Sequence, residues 1–178
     1  MSRPRKANVR RDATGKSRGE PRDVVCGVVV AQRVRAGAPP KDAHSHLWGF
    51  TLGILRCLSQ ITEDQYEAGY EYAEVVHRHN SLMGLSMPFP KSPSTIMVSG
   101  GNGGERKEPD DNTVWDARRK FSQCRRVLLE TGMALGAGSF VNRIAYEVCV
   151  ENRGVDTLSP ADHQNLRFGL NALGKALR

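Results

Sequence analysis

The sequence predicts a mainly α protein, a small helical bundle with a disordered basic N-terminal arm and one short strand. Three observations carry this prediction. Apolar residues recur at three- and four-residue spacing in the second half of the chain, the period of a helix with one buried face. Helix-start chemistry stands ahead of two of the periodic segments. The first 22 residues are basic and contain no Leu, Ile, Phe, Trp or Tyr, so they cannot bury enough apolar area to offset the entropy of ordering them.

Charge is unevenly placed along the 178 residues. Residues 1–22 hold eight basic groups, among them Arg3, Arg5, Lys6, Arg10 and Arg11, against Asp12 and Glu20. The chain has 26 basic and 19 acidic residues in all, so everything after residue 22 is close to neutral at +1. The sequence pI of about 9.5 therefore describes an arm more than a basic folded body.

After the arm, Val24–Val34 is rich in β-branched residues and predicts a short strand. Gly37-Ala38-Pro39-Pro40 breaks it. Leu47–Leu58 is apolar but aperiodic, and helix and extended core segment both fit it. Ile61-Thr62-Glu63-Asp64-Gln65-Tyr66 reads as a helix start, with Thr62 as cap, Gln65 closing a capping box, and Ile61 and Tyr66 at staple spacing. The helix is predicted over 63–79, with Tyr66, Tyr70, Ala73 and Val76 on its apolar face. Gly84–Asp111 carries Pro88, Pro90, Pro93, Pro109 and a glycine tract at 100–104, the composition of a linker.

Three further helices are predicted. Over 113–130, Val114, Ala117, Phe121, Cys124 and Leu128 share one face. Over 140–151, with Ser139 as cap and Gly154 as terminator, the apolar set is Val141, Ile144, Ala145 and Val148. Over 160–177, Ser159-Pro160-Ala161-Asp162 supplies a capping serine, a proline at the first helical position and an acid in the first turn, ahead of Leu166, Leu170, Leu173 and Leu177. The resulting organisation is an arm at 1–22, an N-terminal helical segment with the strand at 23–84, a Pro/Gly-rich linker at 85–111, and a three-helix C-terminal domain at 112–178.

Several functional classes find no support. Cys26, Cys57, Cys124 and Cys149 are too widely spaced for a zinc ribbon or a secreted disulfide framework. His44-x-His46 and His77-x-His79 lack a third ligand at metal spacing, so no metal and no cofactor is expected. The glycine tract lacks the Gly-Lys-Ser/Thr ending of a phosphate loop, and no nucleophile elbow occurs. No apolar run approaches the roughly 20 residues of a membrane span, and no secretory leader is evident. A non-enzymatic, cytoplasmic protein is expected.

The positive signals are basic. Besides the arm, helix 113–130 carries Arg118 in line with Arg125, and Arg119 in line with Arg126, at two-turn spacing and clear of the apolar face. Lys120 adds to the stripe. Such a stripe suits a phosphate backbone or an acidic partner. The last helix opens with Gln164, Asn165 and Arg167, where a recognition helix would place base-reading groups. Against that, the stretch from 152 to 159 is long for a helix-turn-helix connection, and Asp162 would repel phosphate.

Two stretches, Ile61–Gly84 and Val141–Leu173, resemble small phage and prophage proteins of alphaproteobacteria, and the Ile-Thr-x-x-Gln-Tyr-x-Ala-Gly pattern is similar to segments of replication or regulatory proteins. The resemblance implies a mobile-element setting and a helical C-terminal domain, and carries over no catalytic residue. The expected function is a phage-type accessory protein that binds DNA without catalysis, in transcription control or genome handling. The alternatives are a protein-interaction module that inhibits or adapts a host or phage protein, and a small-terminase-like packaging factor, which would form a homo-oligomer.

Overall fold

A computed structural model of the protein describes residues 22–35, 37–85 and 110–178. Among the described residues it holds six α-helices and no strand: α1 (Arg22–Arg35), α2 (Thr51–Cys57), α3 (Glu63–Leu82), α4 (Asp111–Ala134), α5 (Phe140–Cys149) and α6 (Pro160–Leu177). Two short 3-10 turns, His46–Gly49 and Val155–Thr157, precede α2 and α6. The chain divides into two units, residues 1–44 and 45–178.

The first unit corrects the strand prediction. Val24–Val34 lies within α1. A strand needs a partner to satisfy its backbone groups, and no other strand occurs among the described residues, whereas a helix satisfies them within itself. The helical penalty of β-branched residues, a few tenths of a kcal/mol each up to about 0.7, is small beside that cost. At its end Gly37, at φ +98°, accepts the left-handed turn while the Gly37 and Ala38 amides donate to the Val34 and Arg33 carbonyls. Arg33 Nη1 donates to the Ala43 carbonyl at 3.0 Å and ties the following turn back to the helix.

The second unit is built around α6. Leu166, Leu170 and Leu173 have no exposed area, and α6 packs against α3, α4 and α5. The core also draws on Leu52 and Leu55 of α2, Ala68, Tyr72 and Val76 of α3, Cys124 and Leu128 of α4, and Val141, Ile144, Ala145 and Val148 of α5. Two glycines let the backbones approach. A methyl group on Gly69 would stand 2.8 Å from Leu52 and 3.0 Å from Leu170; one on Gly169 would stand 3.1 Å from both Leu128 and Val141. Helices α4, α5 and α6 share one core with α2 and α3. The predicted linker at 85–111 lies mostly outside the described residues.

Local chemistry sets the helix ends. Thr62 and Gln65 form the expected reciprocal capping box, and Ser159 and Asp162 form a second. Ser139 occupies the cap position of α5 but makes no side-chain cap bond, and α5 stops at Cys149, five residues short of Gly154. On α3 the buried face is Gln65, Ala68, Gly69, Tyr72, Val76 and Asn80. Tyr70, placed on the apolar face by sequence, is 52% exposed. The phenolic hydroxyl lets a tyrosine sit at either a wet or a dry position, so Tyr66 and Tyr70 did not discriminate the two faces.

The connection between α5 and α6 is held by Arg153 and Asn152. Arg153 pairs with Glu147 at 2.7 Å, donates to the Thr157 carbonyl at 2.7 Å and lies 3.5 Å from Asp162. Asn152, at φ +56°, offers its Oδ1 to the Thr51 amide at 2.6 Å and so caps α2 from a distant part of the chain. Burial would raise the Asp162 carboxyl, but hydrogen bonds from Ser159 and the charges of Arg153 and Arg143 hold it below the usual carboxylate value.

Two outcomes follow. Leu170→Ala will lower unfolding free energy by about 2–5 kcal/mol in denaturant titration, through lost burial and a cavity; a change below about 0.5 kcal/mol would remove α6 from the core. Because the Asp162 carboxyl is depressed in the folded state, its stabilisation is fully present above the unfolded carboxylate value near 4 and is lost as pH falls through the lower folded value. Asp162→Asn will therefore lower stability at neutral pH and flatten the acid limb of a stability–pH profile.

Candidate nucleic-acid interface

Helix α4 presents two unlike faces because its apolar residues keep strict helical spacing. Ala117, Cys124 and Leu128 are buried, and Phe121 packs half-buried with its ring stacked on His79 at 4.1 Å. Arg118, Arg119, Arg125 and Arg126 all fall away from this face and are exposed.

The two arginine rows have different surroundings. Arg119 lies 3.4 Å from Asp116, and Arg126 lies 3.6 Å from Glu130. Both are exposed pairs within one helix, worth about 0.3–0.5 kcal/mol, and yield readily to a stronger anion. Among the described residues no ion pair engages Arg118 or Arg125; Arg118 Nε approaches the Met83 sulfur at 3.2 Å. Two turns of helix set the members of each row about 10 Å apart. Lys120 departs from the stripe. It lines a surface cleft of about 230 Å³ between α3 and α4, together with Glu71, Glu74, Asp116 and Arg78. Three carboxylates there make Lys120 a poor phosphate contact.

Sequence reasoning missed Trp115 and Met133. Trp115 is 61% exposed and Met133 71% exposed. By helical geometry both share the outer face with Arg119, Ser122 and Arg126. The Arg119 guanidinium lies 5.2 Å from the centre of the Trp115 ring, within reach of a cation–π contact. The signal was legible: Trp115 is one position out of register with the Val114, Ala117, Phe121, Cys124 stripe and one turn before Arg119.

The remaining candidates do not join this surface. Gln164 is exposed, Asn165 half-buried and Arg167 exposed, with Arg167 Nε donating to the Gln60 carbonyl at 2.6 Å. Gln123 of α4 donates to the Ala176 carbonyl, and Leu128 lies beside Gly169, so α4 and α6 run antiparallel. The start of α6 is then level with the end of α4, roughly 20 Å along the axis from Arg118. Ten residues separate α5 from α6, unlike the short turn of a helix-turn-helix pair. Arg3, Arg5, Lys6, Arg10 and Arg11 lie outside the described residues.

Among the described residues, titratable groups elsewhere form no second centre. Burial pushes the Cys124 thiol up to about 11 and the Cys149 thiol up to about 12, so both are protonated and unreactive at neutral pH. Burial lowers the His77 imidazole from its ordinary value. Among the described residues no group of three or more His, Cys, Asp or Glu converges to hold a metal ion, and no helix is long and apolar enough to cross a membrane.

Because Arg118 and Arg125 are exposed and unpaired with any carboxylate among the described residues, replacing both with Ala will change unfolding free energy by less than about 0.5 kcal/mol. Denaturant titration checks this; a larger loss would make them structural. No protein-family model, curated protein or solved structure matches the chain, so the case for this surface is carried by its own residues.

Proposed function

We propose that the protein is a non-catalytic, DNA-binding accessory protein of transcription control or genome handling, and that it holds the phosphate backbone on the outer face of α4. One observation carries this reading: Arg118 and Arg125 stand in line, exposed, two turns apart and without an acidic partner among the described residues, beside a second row whose ion pairs are weak. A guanidinium fork matches phosphate geometry and remains charged at any physiological pH. The basic arm, with Arg3, Arg5, Lys6, Arg10 and Arg11, adds a block of like charge from the same chain. The resemblance of two segments to phage and prophage proteins supports the setting.

Base reading by Gln164, Asn165 and Arg167 is not part of the proposal. Arg167 already serves the Gln60 carbonyl, and α6 is occupied on three sides by other helices. Contacts to phosphate position a protein on DNA without reading sequence, so the expected binding is strong in charge and weak in sequence preference.

Fluorescence anisotropy with a labelled DNA duplex at several salt concentrations tests the reading. Each neutralised phosphate contributes about −0.9 to the slope of log affinity against log salt. Arg118→Ala with Arg125→Ala will flatten the slope by about two, equally for unrelated sequences, and deletion of residues 1–21 will flatten it further. Identical slopes for wild type, double variant and deletion would end the DNA reading. A docking module for a protein partner predicts feeble DNA binding at about 0.15 M salt, where electrostatics are largely screened.

A further inference from the structure

We infer that the α4 face selects single-stranded nucleic acid over duplex, with an unpaired base stacked on Trp115. The inference rests on the phosphate-binding reading above and adds the form of the ligand. Its ground is the position of the tryptophan. Trp115 is 61% exposed, although Leu128 and Cys124 on the same helix are fully buried. An indole left in water one turn before Arg119, on the same outer face, offers a π surface beside a guanidinium, with the carboxylates of Asp111 and Asp116 also flanking it.

The geometry fits one nucleotide. Arg119 is one turn beyond Trp115, about 6 Å along the helix, and Arg118 is three residues beyond. A phosphate held by either arginine leaves its own base within reach of the ring. The Arg119 guanidinium at 5.2 Å from the ring centre already brings charge and aromatic face together. Duplex bases are stacked on one another and offer no free face, whereas every base of a single strand does. The second arginine of each row, Arg125 and Arg126, meets the strand about 10 Å further on.

The chain contains two tryptophans, and Trp48 is buried at 5% exposure, so quenching of tryptophan emission by a ligand reports Trp115. The test titrates the full-length protein with an oligothymidylate of about ten nucleotides, a length within single-strand site sizes, and with a hairpin duplex at the same salt. The inference requires tighter binding of the oligothymidylate, with quenching. Trp115→Ala should weaken that binding roughly 10- to 100-fold, the range of one stacked base, and weaken duplex binding far less, so that the preference for the single strand is lost. Trp115→Phe should retain part of the preference, and thermal melts of both variants should match wild type. Equal affinity for both ligands with unchanged emission overturns the stacking role and leaves the phosphate reading standing. Binding of neither ligand overturns both.

Discussion

Leu166, Leu170 and Leu173 are withdrawn from water because three other helices close around α6, and this burial fixes the orientation of everything else in the second unit. Each fully buried leucine contributes about 1.5–3 kcal/mol relative to exposure. The stripe is continuous, so α3, α4 and α5 must each turn an apolar face toward it. Helix α4 obeys by presenting Ala117, Cys124 and Leu128, and its remaining circumference is thereby committed to solvent. The arginines are held on a rigid element by a constraint that does not involve them.

The same packing separates charge that the composition averages away. Beyond residue 22 the chain is nearly neutral, yet Glu63, Asp64, Glu67, Glu71 and Glu74 are exposed on α3 while Arg118, Arg119, Arg125 and Arg126 are exposed on α4. A partner meets local potential rather than net charge, and at physiological ionic strength charges more than about 8 Å apart are largely screened from one another. A nearly neutral body can therefore carry one face suited to an anion. Lys120 marks the border between the two regions, lining the α3–α4 cleft together with Glu71, Glu74 and Asp116.

Polar contacts in the α5–α6 connection give the fold its second tie. Arg153 links the end of α5 to the cap of α6, and Asn152 reaches the start of α2. These bonds keep a ten-residue connection against the body of the bundle and explain why α2, which has only seven residues and would be marginal alone, is ordered. They also hold the first turn of α6 in place, where Gln164 and Arg167 would otherwise be the natural candidates for a mobile reading surface.

What the sequence determined by itself was local. Capping at Thr62 and Ser159, the leucine spacing of α6 and the arginine spacing of α4 each depend on residues within two or three turns, and such short-range geometry is written directly in the order of side chains. The sequence also contained Trp115 out of register, though only exposure gives that position meaning. Three things were decided by tertiary structure. Val24–Val34 became helix, with no strand among the described residues to pair with it; α2 and α3 joined α4, α5 and α6 in one core; and Tyr70 faced water while Tyr72 was buried. In each case the local preference was worth a fraction of a kcal/mol per residue, and the choice fell to long-range burial and hydrogen bonding, which no short window of sequence contains.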